Sequence, residues 1–121
     1  MPFIAMRSPR VYVPNKSHHD FGDASRFGTV VWLTEGPLNR FEINDMYRRI
    51  MPLMADAEAM DYLLLTGPIT ANVIAASILA QRFGRINYLL WNAWEGRYVS
   101  KPIVIEQKEG IDVRPGQAAA S

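Results

Sequence analysis

Three short stretches of this chain carry residues that could do chemistry. The first is Pro14-Asn15-Lys16-Ser17-His18-His19-Asp20, which holds both of the protein's histidines. An imidazole can give or take a proton near neutral pH. Asn15, Lys16 and Ser17, beside the free amides of a helix start, could hold an anion. Adjacent histidines seldom converge on one ion, and no His-x-x-x-His pattern or nearby carboxylate pair supports them, so no metal site is expected. The same residues also read as a turn, with Asp20 capping a short helix and Asp23 favoured by the helix dipole. The second stretch is Thr34-Glu35-Gly36-Pro37-Leu38-Asn39-Arg40. Glu35 could accept ribose hydroxyls and Arg40 could pair with phosphate, or the segment is a Gly-Pro turn with surface charges. The third is Thr66-Gly67-Pro68-Ile69-Thr70. Gly67 allows close backbone approach, Pro68 suits a helix start, and Thr66 and Thr70 offer hydroxyls, so a small phosphate or carboxylate would fit. The Gly-Lys-Ser/Thr of a phosphate-binding loop and the three-glycine dinucleotide fingerprint are both absent, which leaves an ordinary strand-to-helix turn as the alternative.

No constellation for turnover joins these stretches. The chain has no cysteine, which removes thiolate catalysis, thiolate zinc and disulfides together. Its serines sit in no nucleophile elbow, and no carboxylate pair occupies an obvious cleft position. Trp91, Trp94 and Tyr98 could stack on a base, with Arg97 beside Trp94, although Trp91 continues an apolar strand and reads equally as packing. Arg82, Arg85, Arg97, Lys101 and Lys108 place positive charge in the C-terminal half. That charge suits either an anionic ligand or solvated surface.

The elements that must position these residues follow from hydrophobic patterning. Strands are expected at residues 11–13, 29–34, 62–65, 86–91 and 98–105, the second and third as continuous apolar runs suited to a sheet covered on both faces. Asn92 to Gly96 is short enough for an antiparallel hairpin, and Pro102 puts part of the last strand at an edge or bulge. Helices are expected at 20–27, ending in a left-handed Gly28; at 43–58, kinked or broken near Arg48–Pro52; and at about 69–83, ended by Gly84. The last is apolar nearly all round, so a second helix or a partner subunit is expected on its outer face. Strand-helix alternation predicts an α/β fold, a compact layered domain with a mostly parallel sheet of about five strands and a C-terminal hairpin. Ligands of such sheets bind beyond the carboxyl ends of the strands, where all three stretches fall, with Asn92 beyond the fourth strand.

A chain of 121 residues makes one domain, here set at 10–106, between an extension at 1–9 and a flexible tail at 107–121. A net charge of +1 argues against binding long nucleic acid. MPFIAMRSPR is not a signal peptide, and the most apolar segment is too short for a membrane span, so a cytoplasmic protein without membrane contact is expected.

NKSHHDFGDASRFGTVVWLTEG, DYLLLTGPITANVIAASILAQRFGRINYLLWN and GRYVSKPIVI together resemble small phage-encoded proteins, in particular the phage anti-Thoeris sponge family, over roughly residues 10–105. Those proteins hold cyclic ADP-ribose-type signals without cleaving them. The resemblance implies a nucleotide-binding, anti-defence role in the host cytoplasm, no cofactor, and ligand contacts at Phe83, Asn92 and Arg114. The expectation is therefore a non-enzymatic binder of a small nucleotide, as a homodimer or higher homo-oligomer. The ligand would contact Asn15, Lys16, His18, Glu35, Arg40, Thr66, Gly67 and Thr70 as well. Two alternatives stay open: a virion or filament subunit with no small ligand, and a small cyclic-nucleotide phosphodiesterase using His18 or His19.

Overall fold

The computed structural model describes residues 7–16, 21–39 and 41–105. Five strands, β1 (Arg10–Val13), β2 (Thr29–Trp32), β3 (Tyr62–Leu64), β4 (Arg85–Asn92) and β5 (Arg97–Val104), form one sheet in the order β2-β1-β3-β4-β5. The first four are parallel, and β5 returns antiparallel to β4. This is the expected α/β architecture. β5 is an edge strand, which is why it tolerates Pro102.

Right-handed crossovers dictate the layering. The step from β1 outward to β2 must pass one face. The steps from β2 to β3 and from β3 to β4 run the other way and must pass the opposite face. Accordingly α1 (Ile43–Ile50) and α2 (Ile69–Phe83) pack with Tyr12, Leu63 and Ile86. A 3-10 helix (Gly22–Arg26) packs its Ala24, with Phe21, against Val11, Val13, Leu64 and Leu89. Neighbouring strand residues such as Leu63 and Leu64 thus serve different cores, the physical meaning of the continuous apolar runs.

Several local expectations are corrected. The helix expected at 20–27 is the five-residue 3-10 turn, and the helix dipole is not the main hold on Asp23 in its first turn. Instead Asp23 accepts the Tyr98 amide at 2.7 Å and the Arg26 guanidinium at 3.1 Å, clamping β5 to this layer. Gly28 is not left-handed. Its requirement is space, since a Cβ there would stand 2.2 Å from the Pro9 carbonyl oxygen. The helix expected over 43–58 breaks where expected, stopping at Ile50 and continuing as a 3-10 turn, Met51–Met54, but it ends short of residue 58. Pro52 has no N–H to extend the α ladder. At the end of that turn the carbonyls of Met54 and Ala55 accept from Arg82 of α2.

Helix α2 ends as expected on Gly84, at φ 65°. Its amide donates to the Ala80 carbonyl at 2.9 Å, and its own carbonyl accepts the Ile105 amide at 2.8 Å. A side chain there costs about 1–2 kcal/mol through the left-handed backbone. Gly84→Ala is expected to lower the urea unfolding free energy by that amount with an unchanged m-value. Helix α2 buries Ala71, Ile74, Ala75, Ile78 and Leu79, whereas Ile69 and Val73 are 81% and 57% exposed. No second helix among the described residues covers that outer side.

Candidate functional site

The carboxyl ends of β1, β2 and β3 meet at one edge of the sheet, as the parallel order requires. Beyond β1 and β2 the Lys16 amide donates to the Thr34 carbonyl at 2.8 Å. The buried Thr34 hydroxyl lies 2.6 Å from the Pro14 carbonyl and 2.9 Å from Asn15 Oδ1. The Lys16 ammonium stands 3.9 Å from the Glu35 carboxylate and 5.7 Å from the centre of the Trp32 ring. Both side chains are exposed, so this surface pair contributes little in water. A Cβ on Gly67 would lie 3.9 Å from that of Asn15, so the loops after β1 and β3 touch. Gly67 has φ 74°, which closes the turn from β3 into α2.

Beside that turn, between the first half of α2 and β4, lies an open cleft of about 370 Å³. Thr66, Gly67, Ile69, Asn72, Val73 and Tyr88 contribute to its walls. The start of α2 has Pro68 as its cap residue and no side-chain cap, so its first-turn amides have no side-chain acceptor. Asn72 Nδ2 donates to the carbonyls of Thr66 at 2.5 Å and Pro68 at 2.9 Å. Those two acceptors fix which end of the amide is nitrogen. Asn72 Oδ1 is then buried with no hydrogen-bond partner among the described residues. Leaving such an acceptor unmatched costs on the order of 1–3 kcal/mol. Burial raises the Tyr88 phenol above its ordinary pKa, so it stays a neutral hydroxyl. Among the described residues the cleft walls offer no carboxylate, imidazole or ammonium.

The structure thus brings Asn15, Lys16, Glu35, Thr66 and Gly67 to one edge, with Thr70 in the first turn of α2. Phe83 lies at the opposite end of α2 and packs on the helical core. Asn92 Oδ1 accepts the amides of Trp94 and Glu95 at 3.0 and 3.2 Å, bracing the β4–β5 turn. Trp91 meets Tyr98 edge-on at 5.0 Å, while Trp94 is 99% exposed. His18, Arg40 and Arg114, together with Ser17, His19, Asp20 and Lys108, lie outside the described residues. Sequence reasoning passed over Asn72, Val73 and Tyr88. The available signal was Asn72 itself, a lone amide on the otherwise apolar inner face of α2, four residues after Pro68.

A family model described as Phage Pam3 gp32-like protein matches residues 9–105, spanning every strand of the sheet. The chain belongs to this family. It is a small phage protein, and the match does not extend to the anti-Thoeris sponges. No curated protein and no solved structure matches it. No helix among the described residues is long and apolar enough to cross a membrane.

Proposed function

We propose that this phage protein binds a small nucleotide and holds it without turnover. The observation that carries the reading is the buried, unmatched Oδ1 of Asn72 in the wall of an apolar cleft beside the start of α2. Clefts of this kind, mostly apolar with a few convergent polar groups, are the usual form of a small-molecule site. A base between Ile69, Val73 and Tyr88 would supply apolar contact, and a small shift of the Asn72 side chain would let its Oδ1 meet one of the base's N–H groups. The uncapped amides of the 15-residue helix α2 favour a phosphate. Among the described residues the cleft walls hold no carboxylate, imidazole or ammonium to drive turnover, which favours retention over cleavage, and sequestration of a cyclic ADP-ribose-like or cyclic nucleotide signal is the specific form proposed.

Native mass spectrometry of the purified protein, followed by denaturation, tests this. The expected result is a co-purifying or added cyclic nucleotide that binds and returns at its original mass. A ligand of altered mass would move the assignment to an enzyme. Val73→Asp, at an exposed position, puts a carboxylate in the cleft mouth and is expected to weaken nucleotide binding at least tenfold. Binding unchanged in that variant would remove the cleft from the assignment.

A second reading is an assembly subunit with no small ligand. It is favoured by exposed apolar side chains along α1 and before it, with Phe41 79%, Ile43 53% and Tyr47 46% exposed. Larger apolar patches than monomers usually carry mark contact surfaces. Sedimentation velocity separates the readings: a concentration-dependent polymer that binds none of the nucleotides favours the subunit.

A further inference from the structure

A different cleft, at the other end of the sheet, contains an arginine arranged unlike the others. Arg7, Arg10, Arg26 and Arg97 each pair with a carboxylate: Asp61, Asp56, Asp23 and Glu95 respectively. Arg82 is spent on backbone carbonyls, and Arg48 and Arg49 are exposed on α1. Arg85, the first residue of β4, is partly buried and has no carboxylate partner among the described residues. Its guanidinium is nevertheless held in place. Nε and Nη2 donate to the single Oδ1 of Asn87, at 3.2 and 2.7 Å. Asn87 is itself buried, and its Nδ2 donates to the carbonyls of Ala59 at 2.9 Å and Asp61 at 3.1 Å. The amide is thus locked by the backbone, and its oxygen aims the guanidinium without neutralising it.

Both donors used by Asn87 are on one side of the planar group. The hydrogens of Nη1 and the second hydrogen of Nη2 remain, a two-donor edge that matches the two oxygens of a carboxylate or phosphate. Arg85 and Asn87 line an open cleft of about 430 Å³ together with Met60, Tyr62, Ser100 and Pro102. Among the described residues the walls contain no acidic side chain, Ser100 brings a hydroxyl, and Met60, Tyr62 and Pro102 bring apolar surface. Keeping a partly desolvated charge without a counter-charge costs stability, which a bound anion would offset.

We propose that Arg85, positioned by Asn87, is an oxyanion-binding site for a phosphate or carboxylate group carried by a small ligand, separate from the cleft beside α2. Inorganic phosphate and acetate are the probes, titrated into the full chain at constant ionic strength while backbone amide resonances are followed. Saturable shifts are expected at Arg85, Ile86, Asn87 and Ser100. Stronger binding of phosphate identifies a phosphate site, and stronger binding of acetate a carboxylate site. Arg85→Lys keeps a point charge but loses the paired donors, and is expected to weaken binding about tenfold. Arg85→Gln is expected to abolish it while the unfolding midpoint holds or rises. Arg97→Gln, which removes an arginine already paired with Glu95, is expected to leave the affinity unchanged. Equal affinities for Arg85→Gln and the native chain, or shifts confined to the start of α2, would overturn the proposal.

Discussion

Replacing Asp61 by alanine is expected to be the most destabilising single change in the described chain, at about 3–5 kcal/mol. Asp61 stands just before β3 and is 2% exposed. Its carboxylate accepts four hydrogen bonds: from Arg7 Nη1 and Nη2 at 2.9 and 2.6 Å, from the Arg10 amide at 2.9 Å, and from the Glu58 amide at 2.8 Å. One side chain thereby ties the segment leading into β1, the first residue of β1 and the turn before β3. Alanine would strand two backbone amides and one guanidinium. Arg7→Ala should cost less, about 1.5–3 kcal/mol, because both amide bonds to Asp61 remain. Guanidinium unfolding of the two variants measures the difference; equal losses would mean that the ion pair alone matters.

The same residue sets an acid limit. Burial by itself would raise the Asp61 carboxyl, but the bonds from Arg7 and the amides of Glu58 and Arg10 outweigh it, and its pKa lies below the ordinary carboxylate value. The unfolded chain, with Asp near 3.9, then takes up this proton at a higher pH than the folded chain does. The stabilisation is therefore complete above the unfolded pKa and is lost as pH falls through the folded one. Unfolding free energy followed downward from about pH 5 should decline in the native chain, and less steeply in Asp61→Asn.

The second large effect is expected at Gly28. A Cβ there would stand 2.2 Å from the Pro9 carbonyl oxygen and 2.7 Å from its carbon, both backbone atoms. That carbonyl accepts the Thr29 amide at 3.0 Å, just before the first paired residues of β1 and β2, Arg10 and Thr29. No flexible side chain can move aside, so Gly28→Ala must push the two strand starts apart. The expected loss is about 1–3 kcal/mol, with faster amide exchange at Thr29 and Val31 than at β4. An alanine variant with native stability and native exchange would show that the close approach to Pro9 is not a constraint.

These two residues show where sequence reasoning stops. Gly28 was legible as a boundary glycine, but the left-handed conformation inferred for it is a local property. Its actual constraint is the carbonyl of Pro9, 19 residues earlier. Asp61 drew no notice, because nothing near it in the sequence shows that Arg7 will reach it. Asp23 had an evident local use beside a helix dipole, yet β5 claims it through the Tyr98 amide. At the cleft beside α2, Thr66 and Gly67 were legible from the strand-to-helix turn, whereas Val73 and Tyr88 join them only because α2 packs beside β4.

The sequence by itself determined the α/β class, the order of strands and helices, the break at Pro52, the stop at Gly84 and the hairpin that ends in an edge strand. All of these rest on hydrophobic period and on the backbone limits of proline and glycine, which act within a few residues. Only the tertiary structure decided which carboxylate holds which arginine, which amide acceptor goes unmatched, and that Arg85 is aimed by an asparagine rather than neutralised. Those outcomes depend on side chains far apart in the chain competing for the same few ångströms once the sheet has closed. No local pattern records the result of that competition.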